Sequence, residues 1–148
     1  MPGGLTLDNG IIIRAMTIDD YPQVYALWAA TAGLSLNAAD SRDNIEKILA
    51  RNEGFSFVAE RHGREIVGAL LCGHDGRRGC LYHLAVAAAC RRAGLGRALV
   101  AASIAGLKQA GIERCHLFVN PDNPDGASFW QGRGFIRQDG VDFYSKYT

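Results

Sequence analysis

No charge of one sign dominates this 148-residue chain, which carries 16 Lys and Arg against 15 Asp and Glu, for a net charge of +1. A protein that binds nucleic acid or an anionic membrane surface through its charge normally shows a clear basic excess. The missing excess therefore argues against nucleic acid and membrane as partners. No apolar run reaches the roughly 18 residues that a membrane-spanning helix needs.

The four cysteines form no C-x-x-C pair, and this absence argues against a zinc site or another metal centre. They are Cys72, Cys80, Cys90 and Cys115. Free cysteine inside a predicted strand behaves as a small apolar residue, so the pattern is typical of a reduced, cytoplasmic protein. Residues 1–10 lack the basic and apolar stretches of a signal peptide and are predicted to be a flexible lead-in.

Neither of the two common glycine-rich phosphate patterns is complete in this chain. The pattern G-x-G-x-x-G that starts at Gly94 fails because residue 99 is Leu, and no Gly-Lys-Ser/Thr completes a P-loop. A dinucleotide or nucleoside-phosphate binder is therefore disfavoured. The chain does contain a predicted strand, a basic turn with two glycines, and then a helix rich in Ala and Leu over residues 97–110.

The turn before this helix has the features of an anion-binding site. A helix offers unpaired N–H groups and the positive end of its dipole at its first turn. Gly94 and Gly96 lack the Cβ atoms that would keep an anion away from those groups. Arg91, Arg92 and Arg97 add positive charge that suits phosphate oxygens. An ordinary helix start has the same residue types, so the turn by itself leaves both interpretations open.

Hydrophobic periodicity and turn residues predict the order β-α-α-β-β-β-α-β-α-β-β in a single domain over residues 1–148. The expected fold class is mixed α/β, with one central twisted sheet and helices on both faces. The predicted strands cover residues 11–14, 55–61, 65–73, 80–87, 114–119, 135–139 and 141–147. The predicted helices cover residues 18–30, 41–51, 97–110 and 125–132.

Two segments in this order resemble motifs of the GNAT superfamily of acetyl-CoA-dependent N-acetyltransferases. The first is Arg-x-x-Gly-x-Gly at residues 91–96, directly after the strand end at residues 84–86. The second is the run from Asn to Gly-Phe at residues 123–135. The order of elements is similar to the GNAT fold over about residues 11–147. The glycine-bounded loop at residues 73–79, together with Tyr82, is similar to the small bacterial YpeA-type subgroup.

The resemblance implies a role for each part of these motifs. The strand end would splay from the strand at residues 114–119, so that its backbone groups bond the pantetheine arm. These strand-end residues are Leu84, Ala85 and Val86. The following turn would hold the pyrophosphate of acetyl-CoA through Arg91, Arg92, Ala93, Gly94, Leu95, Gly96 and Arg97. Asn123 would bond the pantetheine or hold the loop that does.

The resemblance also implies direct transfer of the acetyl group in a ternary complex. Acetyl-CoA would be the co-substrate, and the acceptor would be a primary amine of a small molecule, peptide or protein. The chemistry needs a neutral amine, a donor to the developing oxyanion and a proton for the leaving thiolate. The oxyanion donor would be the backbone N–H of Val86 or Leu84. Holding the two substrates together can supply up to ~7–11 kcal/mol of the acceleration.

Two catalytic side chains that are usual in the family have no counterpart here. Trp130 stands where many members have a proton-donating Tyr, and an indole N–H is no practical acid. The positions at which many members carry a Glu base are Cys80, Tyr82 and Phe118 in this chain, and none is a carboxylate. A non-catalytic acyl-CoA-binding sensor or interaction module on the same fold therefore remains the alternative.

Tyr82 is the candidate catalytic residue. Strand alternation places it on one face with Leu84 and Val86, and places His83 on the opposite face as a core or surface histidine. Tyr82 would order a water that deprotonates the amine or supply the proton to the thiolate, although a packed aromatic is the simpler interpretation. The resemblance places Trp28 where the family builds its acceptor pocket, and Trp28 also fits a core position. The sequence does not identify the acceptor amine or the length of the acyl group, and it leaves a homodimer open.

Overall fold

The computed structural model of this chain describes residues 4–7 and 9–148. It divides into two compact units, one that ends at Phe118 and one that runs Val119–Thr148. The larger unit holds a sheet with three helices, and the smaller unit holds one helix. The predicted lead-in is partly structured, because Leu5–Thr6 forms a strand, while residues 1–3 and 8 lie outside the described residues.

The sheet contains six strands, whose order in space follows their order in the chain. They are β1 (Leu5–Thr6), β2 (Ile12–Ala15), β3 (Phe57–Arg61), β4 (Glu65–His74), β5 (Gly79–Val86) and β6 (Cys115–His116). Neighbouring strands from β1 to β5 are antiparallel, and β5 and β6 are parallel. A parallel pair needs a crossover connection, which a helix supplies between β5 and β6.

The helices are α1 (Tyr21–Ala29), α2 (Arg42–Arg51), α3 (Leu95–Gln109) and α4 (Pro124–Gly132). Short 3₁₀ turns at Ile18–Asp20, Ala38–Asp40 and Ala88–Cys90 lead into α1, α2 and the loop before α3. Ser41 begins α2, because its side chain accepts a hydrogen bond from the Asn44 N–H at 3.3 Å. The mixed α/β class and all four predicted helices are confirmed.

Helices cover both faces of the larger unit's sheet. On one face, α1 and α2 bury Val24, Trp28 and Ile45 against Leu71 and Ala85 of the sheet. Trp28 is 0% exposed, so the core interpretation of this residue is confirmed. Burial of one large apolar side chain contributes about 1.5–3 kcal/mol, so this layer contributes substantially to the stability of the unit.

The opposite face of the sheet carries α3, which packs on β3, β4 and β5. Its buried side chains include Leu95, Leu99 and Leu107, each at most 2% exposed. The Ser103 hydroxyl, also buried in α3, donates a 2.7 Å hydrogen bond to the Phe55 carbonyl just before β3. These contacts fix the start of α3 against the sheet.

The two predicted C-terminal strands are absent. Residues 135–148 contain no strand, although alternation of apolar residues predicted strands at 135–139 and 141–147. The side chains of Ile136, Val141 and Tyr144 are 73–89% exposed. An apolar alternation makes a strand only when a neighbouring strand satisfies its backbone, and sequence alone does not supply that partner. The predicted strand at 114–119 is likewise shortened to the two residues of β6.

A buried serine ties β4 to the chain before β3, and its removal is a test of the packing. The Ser56 hydroxyl accepts the Cys72 N–H at 2.8 Å and donates to the Cys72 carbonyl at 3.2 Å. Ser56→Ala leaves these buried backbone groups unpaired, so we expect the free energy of unfolding to fall by about 1–3 kcal/mol. Chemical denaturation measures the change. The exposed Ser145→Ala control should change stability by less than about 0.5 kcal/mol, and equal values for both variants would contradict the assignment.

Candidate active site

The ladder between β5 and β6 is short. It contains only the pairs Gly79–Cys115 and Cys80–His116. β5 continues to Val86, so residues 81–86 extend beyond the end of this parallel ladder. A strand edge that is not paired with a neighbouring strand can bond an extended ligand as an added strand would. The predicted splaying of Leu84, Ala85 and Val86 from residues 114–119 stays a prediction, and the end of the ladder at Cys80 and His116 is the observation that bears on it.

A β-bulge interrupts β5 near its end. Ala69 of β4 pairs with Ala85, and Leu71 pairs with Tyr82, so His83 and Leu84 both lie opposite the single residue Leu70. His83 adopts a left-handed backbone with φ +55°. An L-residue pays about 1–2 kcal/mol for this conformation, which rigid surroundings must impose. Bulges of this kind re-aim side chains, often next to active sites.

The bulge overturns the predicted alternation along β5. Tyr82 pairs with Leu71, which belongs to the core beneath α1 and α2. His83 contacts that same layer, because its ring lies 5.1 Å from the Trp28 ring. Val86 instead pairs with Gly68, where an added Cβ would meet Leu99 of α3 at 3.1 Å. His83 therefore shares the face of Tyr82, and Val86 does not, since the extra residue breaks the period of two.

His83 is held by a buried carboxylate. Its Nε2 lies 2.8 Å from Oδ1 of Asp40, in the 3₁₀ turn before α2. The other carboxylate oxygen, Oδ2, accepts the Asn37 N–H at 3.1 Å, and the Asp40 carbonyl accepts the Tyr21 hydroxyl at 2.7 Å. The side chains of His83 and Asp40 are 19% and 7% exposed. The pair therefore sits in a largely dry position with its geometry fixed from several directions.

Tyr82 lies beside this pair with its side chain partly open to solvent. The residue is 39% exposed. Partial burial raises the pKa of the Tyr82 phenol above the usual value of 10, and a hydrogen bond with the Cys80 thiol raises this pKa further. The phenol is consequently neutral at physiological pH. A neutral phenol donates a proton or a hydrogen bond but does not act as a phenolate base.

The basic turn follows β5 directly. The Arg91 side chain folds back on the strand end, where its Nε donates to the Val86 carbonyl at 3.2 Å. Arg92 has φ +66° and Gly94 has φ +79°, so two left-handed residues make the turn tight. At Gly94 an added Cβ would meet no atom within 4 Å, and the glycine is needed for its backbone angle. Arg91, Arg92 and Arg97 are exposed, as is Ala93.

The first turn of α3 has N–H groups that the helix itself does not use. The Ala98 N–H makes the first intrahelical bond, to the Gly94 carbonyl at 3.0 Å. Leu95, Gly96 and Arg97 therefore have no partner for their N–H groups within the helix. The side chain of Leu95 is 1% exposed and anchors this end of α3 in the core. Unused N–H groups at a helix start, with arginines beside them, are the combination of groups that favours binding of an anion.

Comparison of the sequence with known protein families shows the family to which the chain belongs. Residues 21–135 match the Acetyltransferase (GNAT) family. The chain belongs to this family. The match covers every helix and the strands β3 to β6, including the bulge, the Asp40–His83 pair and the basic turn. The match also includes both segments that resemble GNAT motifs, at residues 91–96 and 123–135.

Bacterial relatives of this GNAT protein are acetyltransferases. An acetyltransferase of Sodalis glossinidius is 32% identical over 129 residues, which cover 87% of this chain and 89% of the relative. An acetyltransferase of Pectobacterium atrosepticum is 35% identical over 111 residues, which cover 75% of this chain and 77% of the relative. The GNAT chain is accordingly an enzyme of the acetyltransferase class.

Solved structures share the fold. Ard1 from Thermoplasma volcanium has a TM-score of 0.75 at 20% identity, over 85% of this chain and 82% of that one. The aminoglycoside N-acetyltransferase AAC(6')-Iy, solved with CoA, has a TM-score of 0.73 at 22% identity, over 93% of this chain and 95% of that one. At these identities the likeness concerns the fold of this GNAT chain alone.

The second GNAT motif, at residues 123–135, lies in the smaller unit, and two of its side chains have clear contacts there. The Asn123 side chain accepts the Gly126 N–H at 3.0 Å and so begins α4. The Trp130 ring contacts Phe129 and Phe135 at centroid distances of 5.1 and 5.2 Å. Both side chains have structural roles within this unit. The replacement of the usual proton-donating Tyr by Trp130 leaves Tyr82 as the candidate acid of this GNAT protein.

Sequence reasoning did not find the Asp40–His83 pair. Asp40 and Ser41 are both of residue types that commonly cap a helix, and both stand just before α2. Ser41 fills that role, so the Asp40 carboxylate is available to bond His83. The spacing of Asn37 and Asp40 does signal a local capping turn, which the structure contains. No signal in the sequence connects that turn to a strand residue 43 positions away.

No cluster of three or more His, Cys, Asp and Glu side chains that could hold a metal ion occurs in residues 4–7 and 9–148. In the same part of the chain, none of the helices combines the length and apolar character that crossing a bilayer requires.

The raised pKa of Tyr82 is open to direct measurement. We expect the Tyr82 phenol to ionise with a pKa above the usual value of 10. Its ionisation is measured as the difference in absorbance at 295 nm between wild type and Tyr82→Phe over a pH titration. The unfolded chain loses this proton at lower pH than the folded chain, so the tyrosine's contribution to stability falls as pH rises through 10. A Tyr82 difference curve centred below 10 would contradict the burial argument.

Proposed function

We propose that this GNAT enzyme transfers an acetyl group from acetyl-CoA to a primary amine of a small molecule, peptide or protein. The observation that carries the proposal is the end of the β5–β6 ladder at Cys80 and His116, which leaves residues 81–86 of β5 beyond the ladder and before the basic turn. A strand edge beside a phosphate-binding helix start suits a ligand with an extended arm and a pyrophosphate. Acetyl-CoA is such a ligand, and AAC(6')-Iy, which shares the fold, was solved with CoA.

The binding roles follow the chemistry of each segment. In this proposal, backbone groups of Leu84, Ala85 and Val86 bond the pantetheine arm. The pyrophosphate is held by N–H groups and side chains of residues 91–97. The α3 dipole and three arginines favour its negative charge. Asn123 acts indirectly by fixing the loop before α4.

The chemical step needs an acid for the leaving thiolate, and Tyr82 is proposed for it. The phenol is protonated at neutral pH, and its 39% exposure leaves it accessible. The backbone N–H of Val86 or Leu84 is proposed to stabilise the oxyanion. An amine acceptor is consistent with the aminoglycoside acetyltransferases that share the fold. Membership of the YpeA-type subgroup is part of the same proposal, supported by Tyr82 and the loop at residues 73–79.

Calorimetric titration with acetyl-CoA tests the cofactor assignment. We expect saturable binding to wild type and affinity weaker by about tenfold or more for Arg92→Glu, because a charge-assisted bond to phosphate contributes about 1.5–3 kcal/mol. The matched control is Arg51→Glu, which makes the same charge change on exposed α2 surface and should bind as wild type. Absence of binding to wild type at millimolar acetyl-CoA would refute the proposal.

Steady-state kinetics test the role of Tyr82. We expect Tyr82→Phe to lower kcat by about a hundredfold, the lower range of acid catalysis, with acetyl-CoA affinity unchanged. CoA thiol release provides the assay, and the exposed Tyr144→Phe serves as the control. A Tyr82→Phe variant with the wild-type rate would remove the catalytic assignment while leaving acetyl-CoA binding intact. Binding without turnover for any amine would favour a non-catalytic acyl-CoA sensor.

A further inference from the structure

We propose that His83, held by Asp40, is the general base that takes a proton from the ammonium group of the acceptor. This inference rests on the proposed acetyl transfer, because it supplies the neutral amine which that reaction requires. It gives a catalytic use to a buried histidine–carboxylate pair on the same face of the sheet as Tyr82.

Hydrogen bonding defines which nitrogen of His83 accepts the proton. An ionised Asp40 only accepts hydrogen bonds, so Nε2 of His83 carries the hydrogen in the 2.8 Å contact with Oδ1. The lone pair is then on Nδ1, which has no hydrogen-bond partner among residues 4–7 and 9–148. The side chain of His83 is 19% exposed, so solvent and a small group can reach the ring. The arrangement is that of a base with an orienting carboxylate.

Asp40 is positioned to stabilise the protonated ring. Its carboxylate pairs with no Arg or Lys in the described part of the chain, and His83 is its single basic contact there. Its other oxygen is already held by the Asn37 N–H at 3.1 Å. A proton arriving at Nδ1 converts His83 into an imidazolium that faces a buried negative charge. The carboxylate then forms an ion pair with the imidazolium, at the 2.8 Å contact between Nε2 and Oδ1.

The backbone of β5 supports a functional interpretation of this pair. His83 is a non-glycine residue with φ +55° inside a strand. Regular alternation would have directed its side chain toward α3, away from Asp40 and Tyr82. The bulge brings a proton acceptor and a proton donor to adjacent positions on one face, next to the edge proposed for acetyl-CoA. Strained residues held by rigid surroundings concentrate at active sites.

Each proton that moves in the proposed reaction has a donor and an acceptor. The acceptor ammonium gives one proton to Nδ1 of His83 and becomes a neutral amine. The amine nitrogen forms a bond to the acetyl carbon, and the carbon–sulfur bond breaks. The sulfur gains a proton from the Tyr82 phenol. The nitrogen then loses its second proton, and this proton returns the Tyr82 phenolate to the neutral phenol. The imidazolium then releases its proton to solvent, so the overall reaction yields an amide, CoA thiol and one proton.

The test compares two acceptors of similar shape and different basicity. Benzylamine is almost entirely an ammonium ion at pH 7, whereas O-benzylhydroxylamine is neutral and needs no base before attack. We expect His83→Gln, which can still donate to Asp40, to lower kcat/KM about a hundredfold for benzylamine, within the range of base catalysis. For O-benzylhydroxylamine we expect a change below about threefold. Asp40→Asn, a second variant of nearly unchanged shape, should show the same selective loss.

The controls separate catalysis from folding and from binding. His62→Gln in the exposed turn before β4 should match wild type with both acceptors. Acetyl-CoA affinity from calorimetry should be unchanged in all variants. Equal losses for both acceptors, or no loss for benzylamine, would overturn the role of His83 and leave the proposed transfer standing. A wild-type protein that binds acetyl-CoA but turns over neither acceptor would overturn the inference together with the proposed transfer.

Discussion

The extra residue in β5 is the constraint on which the candidate site depends. Because His83 and Leu84 share one position opposite Leu70, the strand presents Tyr82 and His83 to the layer of α1 and α2. The same strand leaves its ladder with β6 after two residue pairs. A regular strand would have turned the histidine toward α3. The chemical face of the site therefore follows from a local irregularity of the backbone.

That irregularity is stabilised by packing on both sides of the sheet. Trp28, fully buried in α1, lies against the His83 ring, and Asp40 holds the ring from the turn before α2. On the other face, α3 follows the basic turn and is anchored by Leu95 and Leu99. The turn proposed to bind acetyl-CoA and the proposed proton acceptor thus belong to different helical layers that meet at β5. Core packing and site geometry are consequently inseparable in this enzyme.

Much of this architecture could be predicted from the sequence, because helices, strands and the basic turn have local signatures. The α3 prediction at 97–110 matches Leu95–Gln109 closely, and Arg-x-x-Gly-x-Gly identified the turn. The face of His83 could not be predicted, since a period of two carries no information about an inserted residue. Its bond to Asp40 depends on tertiary structure. The C-terminal alternation was misleading because strand formation requires a partner that the sequence does not name.

The left-handed backbone at position 83 also limits how this enzyme can vary. Histidine, asparagine, aspartate and glycine tolerate such an angle, whereas Val or Ile, common in strands, would be severe outliers there. A lineage that exchanged His83 for Asn or Gly could keep the bent strand and lose only the basic ring. The bulge can therefore persist in a sequence that has lost the histidine. Related enzymes with the same backbone could then acetylate amines of quite different basicity.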